Sequence, residues 1–204
     1  MGLNLCVLAS GKGSNLCAIL KAQKSGIIKS RVRLVISNNS NSKALNTAAK
    51  NKIPHYHLSQ KLFKTEKEFV NKFLALQKKY KIDLIVLAGY MKMINPEVIR
   101  KYKNRIINIH PALLPSFGGK GMYGIHVHEA IIISGSKITG VTVHFVDEIY
   151  DHGAAILRKK VKVKEDDTPE TLQKRVLRTE HKIYPEAIRL LESKKVNTKK
   201  GKVN

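Results

Sequence analysis

Residues 4–15 read NLCVLASGKGSN, and the way this stretch breaks decides the architecture. An apolar run ends at Ser10, Gly11 and Gly13 interrupt it, and a segment with helical spacing begins near Leu16. A short apolar strand, a glycine turn and a helix make the first half of a βαβ unit. The theme recurs: RLVISN (33–38), DLIVLAG (83–89) and RIINIH (105–110) alternate with helix-like segments near 14–24, 42–51, 65–80 and 95–103. Strands that are apolar along their length are buried on both faces. They predict an α/β fold of Rossmann-like type, with a mostly parallel central sheet and helices on both faces. Beyond residue 110 the pattern changes. ITGVTVHFV (138–146) and AAILRKKVKV (154–163) are close enough for an antiparallel pair, and 168–193 reads as a long last helix with Thr168 at its N-cap and Pro169 at its first position.

The 204 residues, 43% of them hydrophobic, suit a single domain over 1–193, followed by a Lys-rich basic C-terminal tail over 194–204. No apolar run approaches the length of a membrane span, and the chain opens on a strand rather than a signal peptide, so a cytoplasmic protein is expected. Cys6 and Cys17 lack metal-type spacing and are expected to be buried, reduced packing residues. The net charge of +23 would attract anions, yet outside the tail the basic residues are scattered. That distribution favours a solvated surface over a nucleic-acid face. The expected partners are small-molecule substrates, with no specific nucleic acid and no membrane, the chain acting as a monomer or homodimer.

Within RIINIHPALLP (105–115), Asn108 and His110 interrupt an apolar strand two positions apart. Side chains alternate along a strand, so these two share a face while Ile107 and Ile109 take the other. Parallel sheets place chemistry at the carboxyl ends of their strands, where an amide donor and a titratable imidazole would converge. A half-buried structural pair is the alternative. The GKGSN loop (11–15) is neither a P-loop nor a full GxGxxG, since Leu16 holds the last place. Its amides at a helix N-terminus suit a phosphate, but they equally suit a tight turn with Ser14 or Asn15 as N-cap. HFVDEIYDHGAAIL (144–157) adds Asp147, Glu148 and Asp151 beside His144 and His152. A carboxylate there would orient His110 and raise its pKa. His126, His128, His144 and His152 form no HExxH motif and have no Cys pair beside them, so no metal is expected.

The segments VLASGKGSNLCAIL, LAGYMKMINPEVI, NIHPALLPSFGGKGMYGIHVHEA, GVTVHFVDEIYDHGAAIL and RTEHKIYP occur in one consistent order. Together they resemble the glycinamide ribonucleotide formyltransferases, folate-dependent enzymes of purine synthesis, over residues 4 to 192. The resemblance implies a formyltransferase fold. It also implies transfer of a formyl group from 10-formyltetrahydrofolate, a co-substrate, to the amine of 5-phosphoribosylglycinamide. It carries a catalytic trio onto Asn108, His110 and Asp151, a phosphate loop onto Gly13, Ser14 and Asn15, and a ribonucleotide contact onto Glu180. The folate cleft falls on Met91, Lys92, Met93 and Ile94, with Asn108 and the backbone of Asp147 to Asp151; Ile94 and Leu87 would line a slot for the pterin. The chain departs from the pattern at Glu66, where family members often carry an Arg near the folate tail, and Lys64 or Lys67 would have to replace it. The four glycines of SFGGKGMYGI (116–125) suggest a mobile flap over the substrates.

Three rivals fit less well. Methionyl-tRNA formyltransferases carry a C-terminal nucleic-acid domain and RGAAP after LLP, where this chain has SFGGKG. Formyltetrahydrofolate hydrolases have an added N-terminal domain and HSFLP in place of HPALLP. An RNA-binding module would need a stacking platform that the scattered Tyr and Phe do not form.

Overall fold

The structure, a computed structural model, describes residues 2–193 together with the backbone of 196–197 and 202–203. Of the basic tail, these two short segments pair antiparallel, and the remainder lies outside the described residues. Among the described residues no helix is long and apolar enough to cross a membrane.

Strands β1 (Asn4–Leu8), β2 (Arg31–Ser37), β3 (His55–His57), β4 (Leu84–Leu87), β5 (Ile106–His110), β6 (Ile138–Phe145) and β7 (Ala155–Lys162) form one seven-stranded sheet. Its order is β3-β2-β1-β4-β5-β6-β7. The first five strands run parallel, while β6 is antiparallel to β5 and to β7. The helices are α1 (Ser14–Lys24), α2 (Lys43–Lys50), α3 (Glu66–Lys79), α4 (Pro96–Lys101), α5 (Ile125–Ile133) and α6 (Pro169–Glu192). Two apolar layers follow from the period of two in the strands. Leu5 and Val7 of β1 join Leu16, Ile19, Ala44, Val127 and Ile183 of α1, α2, α5 and α6. Cys6 and Leu8 face the other way, against Val70, Phe73 and Val98 of α3 and α4. Removing such side chains from water stabilises the fold by about 1.5–3 kcal/mol for each large one.

The last helix starts as expected. Thr168 Oγ1 accepts from Thr171 N–H, the Thr171 hydroxyl accepts in return from Thr168 N–H, and Pro169 occupies the first turn. The carboxylate of Asp167, just before it, is clamped by both terminal nitrogens of Arg175. Tyr184 of α6 is fully buried, and its hydroxyl donates to the Leu87 carbonyl at 2.8 Å, with the Ile107 carbonyl at 3.3 Å. One side chain thus ties the long helix to the end of β4 and to β5.

Two elements carry no clear signal in the sequence, and two local expectations are corrected. Strand β3 is only three residues long, too short for a periodic signal. Helix α5, IHVHEAIII, is apolar nearly all round and lacks the polar face that marks a surface helix in sequence. Cys17 is exposed on the solvent side of α1, since Leu16, Ile19 and Leu20 take the buried stripe; only Cys6 is buried. The N-cap of α1 is Gly13 rather than Ser14 or Asn15, and no side chain caps it.

Candidate functional site

A cavity of about 780 Å³ opens outside the carboxyl ends of β1, β4 and β5. This is where the chain, having wound from β1 outward to β3, returns to the other side of β1 to lay down β4, and such reversals leave a crevice in open α/β sheets. Its walls come from residues 10–15 after β1, 87–94 after β4, 108–111 at the end of β5, 119–124 of the glycine-rich loop, 146–147 and 149–151 between β6 and β7, and α6. A cavity of this size accommodates a drug-sized ligand.

Asn108, His110 and Asp151 meet at its floor. His110 is 3% exposed, with Nδ1 3.4 Å from Asp151 Oδ2 and Nε2 2.7 Å from the Phe117 carbonyl. Asn108 Nδ2 donates to Asp151 Oδ1 at 3.4 Å and lies 3.2 Å from His144 Nε2. His144 Nδ1 is 2.8 Å from the Phe145 carbonyl, which can only accept, so Nδ1 carries a proton. Gly119 N–H donates to Asp151 Oδ2 at 3.0 Å. Asp151 itself sits at φ 53, a left-handed conformation that Asp and Asn tolerate better than most residues.

Electrostatics divide the trio. Burial pulls His110 below its ordinary pKa; the Asp151 charge and the Phe117 carbonyl push upward without offsetting it. The expected net rise is therefore corrected: the carboxylate acts in the expected direction, but removal from water is the larger effect. Burial also raises Asp151, yet its contacts with His144, with His110 and with Gly119 N–H together outweigh that and hold the carboxyl below its usual range. The free protein thus holds an ionised carboxylate beside an imidazole that is mainly neutral at pH 7.

The loop after β1 forms one end of the cavity. Gly13 has φ 71, and a Cβ there would lie 3.0 Å from the Ala44 backbone, so glycine permits the close approach of α2. Asn15, 6% exposed, donates from Nδ2 to Glu180 Oε2 at 2.7 Å. Its own Oδ1 is buried without a partner. Burial raises Glu180, and the Asn15 amide lowers it only in part. Ser14 begins α1 and lines the same end. At the other end Met91, Lys92 and Met93 are exposed and Ile94 is buried, forming a mainly apolar wall with Leu87 and Val146. Ser10 Oγ accepts from Met91 N–H at 2.8 Å and couples the two ends.

Not every sequence candidate enters the cavity. Glu66 opens α3, accepts from Asn95 Nδ2 at 2.8 Å and lies outside the lining, as do Lys64 and Lys67. Glu148 pairs with Arg100, and His152 with Asp147, both exposed. His126 pairs with Glu129. Among the described residues no group of three His, Cys, Asp or Glu is placed to hold a metal.

His144 is the residue that sequence reasoning used least well. Its period-two spacing with Thr142 was legible, but the register Asn108↔His144 across β5 and β6 was not. His128, buried and held down to about 4 by burial and then by His110, also lines the cavity. The glycine-rich loop is packed rather than detached at its start. Phe117 and Gly119 supply backbone contacts to the trio, and a Cβ on Gly118 would come 2.5 Å from Leu114 Cδ2 and 3.2 Å from Asp151 Cβ.

The formyl transferase family profile matches residues 3–188. The chain is 40% identical over 185 residues to the chloroplastic phosphoribosylglycinamide formyltransferase of Arabidopsis thaliana, covering 90% of this chain and 63% of that protein. It is 35% identical to the phosphoribosylglycinamide formyltransferase of Bacillus subtilis, covering 91% and 92%. The crystal structure of glycinamide ribonucleotide transformylase 1 from Symbiobacterium toebii superposes with a TM-score of 0.88 at 37% identity, covering 95% of this chain and 89% of that one. The chain thus spans just under two thirds of the length of the plant relative, and nearly all of the Bacillus one.

Proposed function

The chain belongs to the formyl transferase family, and from that premise we propose that it transfers the formyl group of 10-formyltetrahydrofolate to the amine of 5-phosphoribosylglycinamide, a step of purine synthesis. The observation that carries the reading is the convergence of Asn108, His110 and Asp151 midway along a cavity with a polar, helix-terminated end and an apolar end. A phosphorylated amine suits the first end and a pterin the second. The two reacting atoms would meet over the trio, where proximity alone supplies much of the acceleration.

The amine nitrogen attacks the formyl carbon, a C–N bond forms, and the carbonyl oxygen becomes an oxyanion. Asn108 Nδ2 can stabilise that charge by exchanging one of its long contacts, at 3.2 and 3.4 Å, for the oxygen. His110, neutral beforehand with its Nε2–H given to the Phe117 carbonyl, accepts the amine proton at Nδ1, where Asp151 stabilises the imidazolium so formed. The bond from the formyl carbon to the folate N10 then breaks as N10 takes the proton from His110. One bond is made, one is broken and one proton moves between the two nitrogens, with no covalent enzyme intermediate. His144 keeps Asn108 and Asp151 in register.

Gly13, Ser14 and Asn15 hold the phosphate end in this reading and Glu180 the ribose. Met91, Lys92, Met93 and Ile94 form the folate wall. The family's Arg position is Glu66, which is turned to Asn95, so the folate tail is left to the cavity rim, which carries Lys92 on the folate wall. A cytoplasmic site of action is part of the proposal; the Arabidopsis relative, by its name, works in chloroplasts.

The test is formation of tetrahydrofolate from 10-formyltetrahydrofolate by the purified protein, with and without the ribonucleotide amine. Turnover only with the amine is expected. Equal turnover with water alone would make the protein a hydrolase and sink the reading.

A further inference from the structure

We infer that Lys12 is the cation that grips the phosphate of the ribonucleotide. The inference rests on the formyl-transfer reading and adds to it a side chain that the backbone loop alone does not supply.

Lys12 lies between Gly11 and Gly13 and lines the cavity beside Ser14 and Asn15. Its backbone is held on both sides. The Gly11 carbonyl accepts from Ser42 Oγ at 3.0 Å and from Ala44 N–H at 3.4 Å, while Gly13 packs against Ala44. The Lys12 side chain is exposed and, among the described residues, makes no ion pair. A fixed backbone with a free ammonium at a cavity mouth costs little to organise around a charged group.

The surroundings specify the charge. Helix α1 has no acidic residue in its first turn and no side-chain cap, so its leading N–H groups and positive dipole end are unclaimed by side chains. The second, independent feature is Asn15. Its Oδ1 is buried and unpartnered, and its Nδ2 is bound to Glu180. The Asn15 oxygen and the Glu180 carboxylate are acceptors and call for hydroxyl donors rather than for an anion. A ligand that places hydroxyls on Asn15 and Glu180 and a phosphate on the loop satisfies both, and a ribose 5-phosphate has that arrangement. The dianion then sits near a carboxyl group, and of the lysines lining the cavity only Lys12 belongs to the loop at the helix end.

The experiment compares wild type, Lys12→Ala and Lys12→Arg with the ribonucleotide and with its phosphate-free nucleoside. Lys12→Ala is expected to raise KM for the ribonucleotide about tenfold, the loss of one hydrogen bond to a charged group. Its kcat and its KM for the folate should stay within about twofold, Lys12→Arg should restore the affinity, and added salt should narrow the gap. With the phosphate-free nucleoside the variants should match wild type. An unchanged KM in Lys12→Ala, or an equal rise for the nucleoside, overturns the assignment of Lys12 while leaving formyl transfer intact. A wild type that transfers no formyl group overturns the parent reading, and this inference with it.

Discussion

Asp151→Asn separates charge from shape at the centre of the trio. Asn tolerates the left-handed backbone at φ 53, and its carbonyl oxygen can still accept from Gly119 N–H, so the variant should fold. What disappears is a negative charge 3.4 Å from His110 Nδ1, with both side chains at most 11% exposed. An opposite charge at that range shifts a partner's pKa by about one to three units, equivalent to about 1.4–4 kcal/mol. His110 is already lowered by burial, so its pKa should fall further and the acid limb of the kcat profile should move to lower pH. The imidazolium formed during transfer loses the same stabilisation, so kcat should drop by about ten- to a thousandfold. KM for either substrate should change by less than about threefold, because the carboxylate acts on the transition state through His110. The assay is a pH series of steady-state rates, with both substrates saturating. A rate near wild type, or a lower rate on an unmoved profile, would refute the electrostatic role and leave Asp151 as packing.

Other expectations test the same framework. Asn108→Ala and His110→Ala should each lower kcat by about a hundredfold or more, and His110→Ala with Asp151→Asn should cost little beyond the worse single change, as measured in a double-mutant cycle. Gly118→Ala places a Cβ 2.5 Å from Leu114 Cδ2 and 3.2 Å from Asp151 Cβ; a loss of about 1–3 kcal/mol in urea unfolding is expected together with reduced kcat, and normal activity would show that the loop gives way without disturbing Asp151. His128 is held at about 4 against an ordinary 6.5, so the folded state prefers it neutral. Its contribution is present above pH 6.5 and is lost as pH falls toward 4, by at most about 3 kcal/mol. His110 and His181, lowered as well, act in the same direction. His128→Leu should flatten the dependence of unfolding free energy on pH across that window, and an unaltered slope would show that His128 does not titrate there.

The helices and strands that the sequence disclosed were those with a clear period or a clear end. NLCVLAS, DLIVLAG and RIINIH are apolar runs closed by glycine or proline, and Thr168-Pro169 announces a helix start through capping chemistry that acts within four residues. β3 and α5 escaped because the first is too short for a period and the second has no polar face. The site was partly visible for a related reason. Asn108 and His110 share a face by strand geometry alone, and a βαβ order places that face at the carboxyl ends. The assignment of Asp151 to the pair came from family resemblance, since 41 residues separate it from His110.

Local rules therefore determined the α/β class, the strand that bears Asn108 and His110 and the loop at the start of α1, because each depends on near neighbours in the chain. Three things waited for the tertiary structure. The register of β6 against β5 brings His144 beside Asn108, and registry is a property of two strands together. The depth of burial decided that His110 is lowered where its carboxylate neighbour alone would raise it, because desolvation depends on everything packed around the ring. The junction of Asn15 with Glu180, 165 positions apart, exists because α6 crosses over α1. It leaves one buried acceptor, Asn15 Oδ1, without a partner, and no spacing along the chain could announce that.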